Sequence, residues 1–242
     1  MARHPRLVVA GVALHVRQRG NDGQDCFGDD NDRLVYLALL RQALRRYACA
    51  MHAYCLMSNH VHLLVTPETE RACALVMRDV GRGYAAYFNR RYDRWGALWE
   101  HPFRSCLVDS AAYVITCYRY IDRNPVEANI VEQPSAYAWS SFAGNIGLRE
   151  DPLLTPHAEY IALGAEQSVR RRTYAHLCHQ PLEENQLRQM REATAGGLPL
   201  VGERLKAALE KAGARLARGK AGRRAHAAGG DAANYVLSTE FE

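Results

Sequence analysis

From His52 to Thr66 the chain reads as two strand-length apolar runs, His52 to Met57 and His60 to Thr66, joined only by Ser58-Asn59 and closed by Pro67. So short a link makes the two strands antiparallel neighbours, because parallel strands need a crossover of about a dozen residues or more. The flanks extend this hairpin. Residues 7 to 19 (LVVAGVALHVRQR) form a Val/Leu-rich strand that ends at the turn cluster Gly20-Asn21-Asp22-Gly23. From Asp32 the apolar period becomes helical, with Leu37, Leu40, Leu44, Tyr47 and Ala48 in step and Asn31 or Asp32 as the cap. Residues 70 to 92 repeat that spacing through Ala74, Met77, Val80, Tyr84 and Phe88. Trp99 to Asp109 is extended, and Ser110 can cap a third helix running toward Pro125. The order strand, helix, strand, strand, helix, strand, helix predicts an α+β fold, an antiparallel sheet with packed helices.

Residues 156 to 217 carry only helical patterns, and the segment 217 to 231 (ARGKAGRRAHAAGGD) lacks a usable apolar face. The expected organisation is an α+β domain over 1–145, a helical extension over 146–216 and a disordered basic tail over 217–242. Hydrophobic residues at 48% and charged residues at 24% exclude a chain disordered throughout. No apolar run approaches the ~20 residues that would cross a bilayer, so no membrane partner is expected. Seven cysteines without a C-x-x-C pair suit neither a disulfide framework nor a structural zinc site, and fit a reducing cytoplasm. The net charge is +5, but its placement says more. Residues 1 to 19 hold four arginines and residues 211 to 230 six Lys/Arg, neither with an acid, which points to nucleic acid as the partner.

Two features carry chemistry. His60-Val61-His62 lies on a strand, so both imidazoles share one face, where they either chelate a metal or are satisfied by hydrogen bonds. On the third helix Tyr113, Cys117, Tyr120 and Asn124 form one stripe, with Tyr120 and Asn124 an i,i+4 pair. Those aromatics are either core residues or the frame that presents a phenol beside an amide. Asn124 precedes Pro125, which disfavours helical geometry there.

The runs His52-Ala53-Tyr54-Cys55-Leu56-Met57-Ser58-Asn59-His60-Val61-His62-Leu63-Leu64, Tyr87-Phe88-Asn89-Arg90-Arg91, Leu98-Trp99-Glu100 and Tyr118-Arg119-Tyr120-Ile121-Asp122-Arg123-Asn124-Pro125-Val126 closely resemble the HUH-type single-tyrosine transposases. The REP-associated tyrosine transposase branch is the best match. The likeness runs from about Pro5 to Phe142, with His15-Val16-Arg17-Gln18-Arg19-Gly20-Asn21 at its front. It implies a ferredoxin-like or RRM-like fold that cuts and rejoins single-stranded hairpin DNA, such as REP-like repeats, through a 5′-phosphotyrosine intermediate. By similarity Tyr120 is the nucleophile, and His60, His62 and Asn124 hold a divalent metal, Mg²⁺ or Mn²⁺, although imidazoles alone suit zinc equally. Tyr118 lies two residues earlier, roughly 200° around the helix, and cannot serve the same site. Arg17, Arg19, Arg82, Arg90, Arg91 and Arg119 are the candidate DNA contacts, and the expected state is a monomer or homodimer.

The chain also departs from the family pattern. Ser58 replaces a proline, His101-Pro102 stands where glycine and a basic residue are common, and Glu127 and Asn129 replace Arg and Gly. None of these is one of the four proposed catalytic positions. The loss of basic groups keeps a second reading open, a silent hairpin-binding regulator, and a metal-dependent hydrolase using the same histidines is a third.

Overall fold

The computed structural model describes residues 6–100, 102–214 and 216; the basic tail expected over 217–242 lies outside them. Strand β1 (Ala13–Arg19) leads into helix α1 (Asp30–Arg46), then β2 (Cys49–Leu56), β3 (His60–Pro67), α2 (Ala72–Arg91), β4 (Arg104–Val108) and α3 (Ala111–Asp122). The sheet order is β2-β3-β1-β4, and every pairing is antiparallel. This is the α+β architecture expected from the sequence.

Three local details differ from expectation. β1 starts at Ala13, not Leu7, because a turn at Gly11 (φ +76°) precedes it. Helix α1 is capped by Asp29, whose side chain accepts from the Asp32 N–H, a role assigned above to Asn31 or Asp32. Ser110 does precede α3, but at φ +80° and with no side-chain capping bond.

Alternation along the strands separates two faces. Leu14, Val16, Val61, Leu63 and Leu107 pack with α1 and α2, where Tyr36, Leu40, Val80 and Tyr84 are buried. Each such large side chain contributes roughly 1.5–3 kcal/mol when removed from water. The opposite face carries Ala13, His15, Cys55, His62, Leu64, Cys106 and Val108, and it is covered by α3 and by the later helices. Short helices α4 (Asn124–Glu127), α5 (Phe142–Asn145) and α6 (Ala158–Ile161) are followed by α7 (Gln167–His179), α8 (Glu184–Gly196) and α9 (Glu203–Lys211). The helical extension therefore shares a core with the sheet: Tyr160, Tyr174, Met190 and Ala193 join Val114, Cys117 and Tyr120 in one buried cluster. All seven cysteines are buried free thiols. No helix among the described residues is long and apolar enough to cross a membrane.

Candidate active site

Strand register assembles the site on the face away from α1 and α2. His60 and His62 alternate onto it from β3, and across the ladder His62 sits opposite Arg17 and His60 opposite Arg19. On the other side of β1, Arg17 faces Arg104 and His15 faces Cys106. The His60 and His62 rings meet edge to face, with centroids 4.9 Å apart.

Each imidazole has one nitrogen fixed. The Asn59 amide donates through Nδ2 to the Gly23 carbonyl, so its Oδ1 accepts from His60 Nδ1 at 2.7 Å. His62 Nδ1 lies 2.9 Å from His15 Nε2. Burial lowers both pKa values, His60 to about 4 and His62 well below the usual value, and nearby Arg17 acts in the same direction on both. Both rings are therefore neutral near pH 7, the form that ligates a metal.

Helix α3 supplies the phenol. The Tyr120 ring packs edge-on against His62 and against His15, each with centroids 5.5 Å apart. A single turn residue, Arg123, separates α3 from α4; its N–H still donates to the Arg119 carbonyl at 2.8 Å, and the chain is helical again at Asn124 despite Pro125. Proline is tolerated there because it occupies the first turn of α4. The Asn124 side chain consequently stays on the Tyr120 side, close enough to His60 to favour its protonated form. The structure thus brings His60, His62, Tyr120 and Asn124 together. Tyr118 points elsewhere: its hydroxyl accepts from the His157 N–H and its ring stacks on Tyr160.

Among the described residues no three His, Cys, Asp or Glu side chains are grouped to hold a metal, so two imidazoles and the Asn124 amide are the donor set on offer. That set is chemically suitable: it consists of neutral ligands, with Nδ1 engaged on both rings and Nε2 left over.

The arginines divide. Arg17 is half-buried beside the histidines; burial disfavours its charge most, Tyr120 and Glu100 favour it, and Arg19 and Arg104 oppose it. Arg19 is exposed on the same face. Arg82, Arg90 and Arg91 belong to α2, behind the sheet, and Arg91 is engaged by Asp29 at 2.6 Å and Asp32 at 2.7 Å. Arg119 donates to the carbonyls of Gln180 and Pro181. Glu127, one of the departures from the family pattern, pairs with Arg123 at 3.0 Å.

Sequence reasoning overlooked three contributors. His15 is one, although its position two residues before Arg17 on a strand signals the shared face. Thr194 and Arg191 of α8 are the others. Thr194 Oγ1 is 2.7 Å from His15 Nδ1, and the Arg191 side chain lies close enough to the Tyr120 hydroxyl to favour its ionised form. Helix α8 roofs the site: Tyr120 is only 6% exposed and His62 2%, whereas His60, Asn124 and Arg17 remain half-buried at its edge. Burial raises the Tyr120 pKa, while Arg191 and Arg17 oppose that rise. In Arg191→Gln the basic limb of any rate that depends on the Tyr120 phenolate should move to higher pH, as a pH–rate profile would show.

Residues 9–124 match the family model described as "Transposase IS200 like". No curated protein matches the chain significantly. Among solved structures, a REP-associated tyrosine transposase bound to a REP hairpin aligns with a TM-score of 0.52 at 16% identity, over 66% of this chain and 93% of that one. A tRNA(His) guanylyltransferase from Saccharomyces cerevisiae aligns with a TM-score of 0.39 at 12% identity, over 76% of this chain and 84% of that one.

Proposed function

The chain belongs through residues 9–124 to the IS200-like transposase family, and on that premise we propose that it is a metal-dependent strand transferase acting on single-stranded hairpin DNA. The convergence of Tyr120 from α3 and Asn124 from α4 on His60 and His62 of β3 carries this reading. Attack of the Tyr120 oxygen on a phosphodiester forms an O–P bond and breaks the bond to the upstream 3′ oxygen, which leaves as a hydroxyl. The product is a 5′-phosphotyrosine that retains the phosphoester bond for rejoining, so no nucleotide cofactor is consumed. Arg191 and Arg17 favour the phenolate that performs the attack. A divalent ion, Mg²⁺ or Mn²⁺, held by His60, His62 and Asn124 would polarise the scissile phosphate.

The structural neighbour's REP hairpin makes hairpin DNA the first substrate to test. Arg17 and Arg19 lie on the face of the four site residues and are the first candidates for its phosphates. Arg91, held by two aspartates, is a structural residue first. In Arg17→Ala, hairpin affinity should fall and the slope of log K against log salt should shrink by about 0.7, the value for one single-strand phosphate contact. A filter-binding salt series measures both.

One observation favours a second reading, hairpin binding without cleavage: the roof of α8 over Tyr120. Incubating the full chain with a labelled single-stranded hairpin and Mn²⁺ separates the alternatives. Strand transfer yields a covalent protein–DNA adduct. Binding alone yields a retarded but intact strand, and hydrolysis yields cut DNA with no adduct; either result would overturn the proposal.

A further inference from the structure

His15 belongs to no functional role assigned so far, yet it is fully buried against a proposed metal ligand. Its second nitrogen contacts Thr194, a residue of the helical extension outside residues 9–124. The direction of this chain of hydrogen bonds follows from the one group in it that has no choice. The Met190 carbonyl can only accept, so at 2.9 Å the Thr194 hydroxyl spends its single proton there. With its proton there, Thr194 Oγ1 accepts from His15 Nδ1–H, and it also lies 3.5 Å from Cys106 Sγ. A neutral His15 with its proton on Nδ1 presents a bare Nε2, and at 2.9 Å that atom must accept from His62 Nδ1–H. His62 is left with its lone pair on Nε2.

We propose that Thr194 and His15 are positioning residues, forming a relay from α8 through β1 that holds His62 in the Nδ1–H form and keeps its Nε2 as a ligand for a divalent cation. The inference rests on the proposed function for the identity of the ion, whereas the tautomer is argued from the hydrogen-bond geometry alone. It gives His62 the same arrangement that Asn59 gives His60. It also makes the extension part of the site: the last group in the relay lies 132 residues beyond the imidazole it orients. If the relay ran the other way, Thr194 donating to His15 and His15 to His62, His62 Nε2 would carry a proton and could not ligate.

The deciding measurement needs neither metal nor DNA. Long-range ¹H–¹⁵N correlation spectra of the ¹⁵N-histidine-labelled full chain report which ring nitrogen carries the proton. The wild type is expected to show His15 and His62 both protonated at Nδ1; a His62 protonated at Nε2 overturns the proposal whatever any variant does. Thr194→Val removes the acceptor at nearly constant shape and should give mixed tautomers at both rings, whereas Thr194→Ser should restore the wild-type pattern. Titration with Mn²⁺ alone, followed by the EPR signal of the free ion, should show an affinity about 10- to 100-fold weaker in Thr194→Val than in wild type or Thr194→Ser. Equal tautomers and equal Mn²⁺ affinity in all three proteins would refute the relay. A wild type that has the expected tautomer but binds no Mn²⁺ would refute the proposed metal chemistry and leave the hydrogen-bond relay standing.

Discussion

In Tyr120→Phe the covalent protein–DNA adduct disappears, and strand cleavage falls on the order of 10⁴-fold or more, as expected when a nucleophile is removed from an otherwise complete site. The substitution deletes one oxygen. Phenylalanine retains the edge-on contacts with His15 and His62, so the fold loses only the polar contact of the hydroxyl with Arg191. A contact of this kind contributes at most about 1 kcal/mol, so the melting temperature of a chain of this size should fall by no more than roughly 2–4 °C. Hairpin binding should survive, since the arginines proposed to meet phosphate are untouched. Denaturing gels of labelled DNA, mobility shifts and a thermal melt separate these three quantities. If an adduct persists in Tyr120→Phe, the nucleophile lies elsewhere. Tyr113 is the next candidate because it shares the stripe and its hydroxyl meets Gln189 of α8 at 3.4 Å; Tyr118 is walled in by His157 and Tyr160. Peptide mapping of the adduct would tell them apart.

The hairpin of β2 and β3 was legible because its determinants are local: two apolar runs, a two-residue link and strand parity. The same parity places His60 and His62 on one face, and helical spacing brings Tyr120 and Asn124 together while sending Tyr118 to the far side. At residues 7 to 12 apolar content alone misleads, since a Gly11 turn interrupts what reads as continuous strand. The roof over the site was not legible. Leu187, Met190 and Ala193 mark α8 as amphipathic, but an apolar stripe does not name the surface that it covers. Here that surface is the face of the sheet that carries His15 and His62 among apolar side chains, and its nearest strand, β4, ended 76 residues before α8 begins. His15 is intermediate. Its parity with Arg17 could be read from the strand, but its partners Thr194 and His62 are 179 and 47 residues away, and no pattern along the chain relates them.

Asp122→Ala should be the most damaging single substitution to the fold. Asp122 sits two residues after Tyr120, on the opposite side of α3, and is 0% exposed. Three donors converge on it: Ser141 Oγ at 2.6 Å, Tyr174 Oη at 2.6 Å and Asn145 Nδ2 at 3.4 Å. Ser141 also accepts from the Tyr54 N–H of β2, so this one carboxylate ties α3 to the sheet, to α5 and to α7. Alanine leaves three buried donors without an acceptor, a loss of about 3 kcal/mol or more, or roughly 6–12 °C in melting temperature. The carboxyl also makes stability depend on pH. Burial raises its pKa to about 6, against the opposing hydrogen bonds of Ser141, Tyr174 and Asn145. The folded protein therefore binds this proton more tightly than the unfolded chain, whose carboxyl titrates near 3.9. The stabilisation linked to that proton is complete below the unfolded value and is lost as pH rises through about 6. Asp122→Asn keeps one acceptor oxygen but turns an amide against a donor, so its melting temperature should fall between those of wild type and Asp122→Ala. Since the amide does not titrate, the component of the wild-type slope between about pH 4 and 6 should be absent in Asp122→Asn. Thermal melts of the three proteins at pH 4, 5, 6 and 7 test both statements. A wild type and an Asp122→Asn with parallel pH profiles would show that Asp122 remains ionised throughout, with its three donors outweighing burial.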